Sequence, residues 1–261
     1  MAESSLQTKQ NGSEHSQDKP LIEVLGVSKR YGSKVVHENI NLNVYPGEIL
    51  TLMGGSGSGK SVLLRSMIGL EKPDRGKILF HGKDITQLDE AKLVDVRKRV
   101  AYVFQYGALF DSLTVEENLA YPLREHTSLT DEQIHEKVIT TLRKVGLEGS
   151  EKLLPSDLSG GMQRRVGVAR SIILDPEVIL YDEPTTGLDP YNTKQILKII
   201  LQLKGQGATS ILVTHDMSSI FAVTDRVAFL KKGKIAALGT AQEIKDTKDP
   251  ELKGFIYGET M

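Results

Sequence analysis

Apolar residues in this chain gather in short runs, each closed by a turn residue or by charge. The segments Leu21–Leu25, Ile40–Val44, Glu48–Met53, Lys77–Phe80, Val100–Phe104, Glu177–Asp182 and Ser210–Thr214 have the length and makeup of strands. Arg226–Leu230 and Lys234–Leu238, joined across Lys231-Lys-Gly233, predict a terminal hairpin. Helical spacing replaces these runs at Val62–Leu70, at Val166, Ala169, Ile172 and Ile173, and from Pro190 to Leu203. Strands separated by helices predict an α/β fold.

Between about residue 107 and Pro155 the pattern turns wholly helical. Thr114 with Glu117 and Thr130 with Gln133 fit the capping box, in which a hydroxyl and a Glu or Gln three residues later satisfy each other's backbone amides. Ile134, Val138, Leu142 and Val145 share one face, and Gly146 is a natural stop. The expected layout is a polar, disordered tail at 1–19, a folded domain at 20–240 with a helical lobe at about 107–158, and a C-terminal tail at 241–261.

Composition narrows the setting. A formal net charge of −1 with 26% charged residues gives no basic field for nucleic acid. The absence of cysteine excludes disulfides, thiolate catalysis and Cys-based zinc sites, and suits a reducing cytoplasm. No apolar run approaches the roughly 20 residues that cross a bilayer, so a membrane role would come through a partner.

The most specific chemistry lies at Gly54-Gly55-Ser56-Gly57-Ser58-Gly59-Lys60-Ser61, which fills the pattern G-x-x-x-x-G-K-[ST] between a strand run and a helix run. Glycines let successive amides face an anion, and the following helix points its positive end at the same place. Lys60 is expected to reach the β- and γ-phosphates and Ser61 to ligate Mg²⁺. Further on, Asp182-Glu183 ends a buried strand. Adjacent carboxylates there make sense if a cation and an attacking water share the spot, with Asp182 on Mg²⁺ and Glu183 polarising the water. His215 ends another buried strand, and in a parallel sheet the two ends gather at one edge.

Ser159 is placed as an N-cap, and Gly160 and Gly161 directly inside the helix start cost stability but leave bare amides, which suits a second anion site. Tyr31, ahead of the phosphate loop, is either a ring for a nucleotide base or an ordinary core or surface tyrosine. Gln105, by itself, is a strand-end glutamine.

This ordered set resembles the nucleotide-binding subunit of ABC transporters across residues 21–240. The resemblance implies a P-loop NTPase of ABC type: a RecA-like mixed sheet core, an antiparallel β subdomain and an inserted α-helical subdomain. It implies that ATP and Mg²⁺ are bound, with Tyr31 stacking on adenine, Gly54 to Ser61 as the Walker A loop and Gln105 as the Q-loop glutamine touching Mg²⁺. It further implies Leu158 to Gln163 as the signature motif, Val178 to Asp182 as Walker B, Glu183 as catalytic base, Asp189 in the D-loop and His215 as the switch histidine. Members of the family dimerise head to tail, each ATP lying between one copy's Walker A loop and the other's signature residues. Val62, where threonine commonly follows Lys-Ser, and Met162, where most signatures have glutamine, depart from the pattern.

The segment Phe104–His126, with Ser159–Val166, Tyr181–Pro184 and the ending Asp249-Pro250, Phe255 and Gly258, is similar to ATPases of Mla/Mce-type lipid transporters. That implies a permease and an Mce-domain subunit as partners, a possible small regulatory subunit, no nucleic acid, and attachment to the cytoplasmic face of the inner membrane through the permease. The core motifs alone fit equally an ABC ATPase for amino acids, metals or drugs.

Overall fold

The computed structural model describes residues 19–258; the expected N-terminal tail, except for Lys19, lies outside them. Among the described residues ten strands form two sheets. In the first, β2 (Lys34–Val44), β1 (Ile22–Tyr31), β4 (Arg75–Phe80) and β5 (Lys83–Asp84) lie in that order, all antiparallel. The second has six strands, ordered β10 (Lys234–Thr240), β9 (Arg226–Lys231), β3 (Ile49–Met53), β8 (Thr209–Val213), β7 (Val178–Asp182) and β6 (Val100–Val103). Its strands run parallel except β10, which closes the edge as an antiparallel hairpin with β9.

β3 and β8 are buried at every position, because helices or the first sheet cover both faces. Alternation along β3 then distributes its side chains between cores. Leu50 and Leu52 join the cluster under the antiparallel sheet with Leu42, Leu64 and Ile78. Ile49 joins the opposite cluster with Leu119, Val138, Leu142 and Ile200.

Helix α1 (Lys60–Ser66) follows the phosphate loop, and α2 (Glu90–Arg99), capped by Asp89, leads into β6. The helical lobe is α3 (Val115–His126) and α4 (Asp131–Lys144), both with complete capping boxes, packed on α5 (Gly160–Ile172). Helix α6 (Pro190–Gly205) precedes β8, and α7 (Met217–Val223) follows it.

The stretch read as a C-terminal tail contains two helices, α8 (Ala241–Lys245) and α9 (Pro250–Tyr257). Ile244, Leu252 and Ile256 complete a third cluster with Met53 and Phe229, and Phe255 stacks at a tilt on Phe229 (5.0 Å). Only three of α9's eight positions carry this packing, which is too sparse a pattern to stand out in sequence. Among the described residues no helix is long and apolar enough to cross a membrane.

Candidate active site

The parallel order brings the ends of β3, β7 and β8 to one edge, and the chemistry-bearing residues lie on the loops that leave it. The phosphate loop is locked by close backbone approach. Gly54 is in the left-handed half of conformational space (φ +157°), and a Cβ there would sit 2.3 Å from the Leu230 carbonyl oxygen and 2.9 Å from Ser58 Oγ. Gly59, at φ +100°, would put a Cβ 2.6 Å from His37 Nε2, which donates to the Gly59 carbonyl (3.0 Å). His37 is fully buried, its Nδ1 has no partner among the described residues, and burial pulls its pKa below the usual histidine value.

Lys60 folds back over the loop and donates to the carbonyls of Gly54 (2.8 Å) and Gly55 (3.0 Å). Burial lowers its pKa, and the nearby carboxylates of Glu183 and Asp182 oppose that. Ser61 Oγ donates to Asp182 Oδ1 (2.7 Å) and the Tyr102 hydroxyl donates to Asp182 Oδ2 (2.7 Å). Burial first, and this bond second, push the Tyr102 phenol far above its usual range, so it stays a donor.

Glu183 takes φ +50°, a conformation that costs a non-glycine residue energy and that concentrates at functional sites. Its backbone N–H is tied to the Val213 carbonyl (2.9 Å), and Thr186 Oγ1 donates to Glu183 Oε2 (2.7 Å). His215 Nδ1 lies 3.3 Å from the same oxygen. Thus Lys60, Ser61, Asp182, Glu183 and His215 share one edge.

The residues fit a polyphosphate and a divalent cation. Ser58 Oγ is buried in the loop with no partner among the described residues, a donor position of the kind an anion satisfies. Ser61 and Asp182 offer two oxygens at one point, and no cluster of three or more His, Cys, Asp or Glu occurs among the described residues that could hold a metal. Such a pair suits a metal that takes its other ligands from phosphate and water. A cleft of about 490 Å³ opens beside the loop between Val36, Gly55, Ser58, Lys231, Gly254 and Phe255.

Other predicted residues stand apart from this cluster. Tyr31 is exposed at the end of β1, with Lys29 Nζ 5.2 Å from the ring centroid, and it does not line the cleft. Gln105 is half-buried in the turn after β6. Asp189 caps α6, accepting from the Asn192 backbone (2.9 Å) and side-chain amide (2.5 Å). Ser159 caps α5 through the Met162 amide (3.3 Å). Gly160 faces open space, but Gly161 has a reason inside this chain: a Cβ there would meet Asn192 Oδ1 at 2.1 Å. The doubled glycine is therefore only half explained by bare amides. Tyr102, Thr186 and His37 were not anticipated. Their partners lie at sequence separations of 80, 3 and 22 residues, and only the three-residue hydroxyl-to-Glu183 spacing carried any local signal.

A glycine-rich loop between a parallel strand and a helix, with Asp-Glu ending a strand of the same sheet, defines a P-loop nucleoside-triphosphatase. The description "ABC transporter" matches residues 37–186. Over 92% of its length the chain is 41% identical to the intermembrane phospholipid transport system ATP-binding protein MlaF of Haemophilus influenzae, covering 91% of that protein. It is 42% identical to MlaF of Escherichia coli strain K12 over 91% of this chain and 89% of that one. The probable ribonucleotide transport ATP-binding protein mkl of Mycobacterium leprae is 40% identical over 92% of this chain and 70% of that protein. The ATP-binding cassette MJ0796, solved as a dimer in a post-hydrolysis state with ADP and Pi, superposes with a TM-score of 0.78 at 30% identity, covering 84% of this chain and 98% of that one. The chain belongs to the ABC transporter family and is an ATPase of that type.

Proposed function

We propose that this chain is the ATP-hydrolysing subunit of a complex that moves phospholipid between inner and outer membranes, working as a dimer on a membrane permease. The observation that carries the reading is 41–42% identity to two MlaF proteins over about nine-tenths of the chain. Residues 20–240 are the ATPase domain, with the helical subdomain at about 107–158; residues 1–19 and 241–261 flank it. The dimer sits at the cytoplasmic face of the inner membrane.

In this reading the loop amides from Gly54 to Ser61, with Val62 behind them, cradle the phosphates, and Lys60 spreads the charge of the transferring group. Ser61, Asp182 and Gln105 would hold Mg²⁺, which would neutralise further phosphate charge. Glu183 orients water and His215 bridges Glu183 to the γ-phosphate, while Tyr31 stacks on the base. Ser159, Gly160 and Gly161 complete the site on the second copy, and Asp189 aligns the two. The helical lobe receives a permease helix, with an Mce-domain protein beyond the membrane and a small regulatory subunit as a further partner.

The mkl relatives, at 39–40% identity, favour a second reading as a ribonucleotide-transport ATPase. Purification of the complex from its native membrane separates the two. A permease with extracted phospholipid supports the first reading, and ribonucleotide retained without lipid supports the second.

A further inference from the structure

Arg164 lies in the second turn of α5 and is only 6% exposed, yet it makes no ion pair with a carboxylate among the described residues. Nη2 donates to the Thr186 carbonyl (3.2 Å), Nη1 has no partner among the described residues, and the guanidinium carbon lies 5.6 Å from the Tyr106 ring centroid. Burying a guanidinium without a counter-charge is costly, and a long apolar side chain would fill the space without that cost. Packing alone does not account for arginine here.

Its two contacts join two loops. On one side Thr186 Oγ1 holds Glu183 Oε2 (2.7 Å), the oxygen that also faces His215 Nδ1 (3.3 Å). On the other, Tyr106 follows Gln105 directly and is 77% exposed. The loop carrying Tyr106 is fastened to the same helix: Arg170 donates to the carbonyls of Gly107 (3.2 Å) and Ala108 (2.7 Å). Gly167 approaches so closely that a Cβ would lie 2.6 Å from Gly107 Cα. A planar guanidinium can face a ring and donate in its own plane at once, a pairing that lysine's compact ammonium reproduces only in part.

We infer that Arg164 is a positioning residue that links the loop at 104–110 to Glu183 through the Thr186 peptide. Displacement of Tyr106 by a docked partner moves the guanidinium, and the Thr186 segment that orients the Glu183 carboxylate moves with it. The inference rests on the reading of Glu183 as the water-orienting group.

The test is steady-state ATP hydrolysis by the full chain carrying Arg164→Met, Arg164→Lys, Thr186→Val or both Arg164→Met and Thr186→Val. Arg164→Met is expected to lower kcat about tenfold with KM for ATP within about twofold, and Arg164→Lys, which keeps a cationic donor, to regain part of the loss. The double variant should fall no more than about twofold below the worse single variant, because both substitutions loosen one carboxylate. Should Arg164→Met fail to fold, the same cycle built with Arg164→Lys decides. Arg164→Met with kcat within about twofold of the parent, or losses that simply multiply, overturns the link. Glu183→Gln is measured alongside: hydrolysis surviving in it sinks the base assignment, whereas its loss beside an unaffected Arg164→Met sinks the link alone.

Discussion

The sheet edge and the tip of α5 carry the two halves of the proposed site, and they are built in contrasting ways. At the edge, Lys60, Ser61, Asp182, Glu183 and His215 each have a partner within this chain, and Glu183 is held in a strained conformation by the bonds around it. At the tip, among the described residues, Ser159 bonds only its own helix and a Cβ on Gly160 would meet nothing within 4 Å. Gly161 alone is packed, against the Asn192 that Asp189 fastens. One half is therefore preorganised by a rigid sheet, where fixed dipoles stabilise charge without reorganising. The other half is a helix end whose first-turn amides have no acceptor within their own helix, which suits the proposed site shared between two copies.

The contrast is tested most severely at Glu183. Glu183→Gln should lower hydrolysis by at least about 100-fold while leaving Mg-ATP binding intact, since a general base contributes about that much. Turnover near the parent rate would remove the catalytic half from the sheet edge. Gly161→Ala is the matching change at the tip. It should cost about tenfold in hydrolysis while nucleotide affinity of the monomer stays within about twofold, and Asn192→Ala in the same chain should restore part of the rate by vacating the clash. Equal loss of monomer affinity would mean that the two halves are not separate.

Gly59→Ala probes how tightly the preorganised half is packed. Positive φ and contact with His37 predict a loss of about 2–3 kcal/mol in denaturant unfolding, with weaker nucleotide binding. The smallest effect concerns His37 itself. Burial depresses its folded pKa below the ordinary value of 6.5, so as pH falls the unfolded chain takes up the proton first. Stability from this group is whole above about pH 6.5 and declines as pH falls toward the folded value. His37→Asn should flatten that part of the unfolding-midpoint profile; an unchanged slope would show that another group sets it.

The strands of the six-stranded sheet were legible because each is a short apolar run closed by a punctuating residue, as at Glu48–Met53 and Ser210–Val213. Helices α3 and α4 announced themselves through their capping boxes. Helix α2 escaped because only Leu93 and Val96 of its ten residues are buried, and α7 because its seven residues are too short to show a period. Gly161 was legible as unusual, but its contact with Asn192 was not, since 31 residues separate the two.

By itself the sequence determined the α/β alternation, the phosphate loop and the acids and histidine that end buried strands, because these depend on residue type and near spacing. Tertiary structure alone decided which of those ends meet. Parallel pairing of β3, β8, β7 and β6 set Ser61 and Tyr102 against Asp182 and Glu183 against His215, and the packing of α5 set Arg164 against the Thr186 carbonyl. The physical reason is range. Propensity and capping act within a turn or two, whereas a hydrogen bond across a sheet joins residues that have no local trace of one another until packing fixes the register.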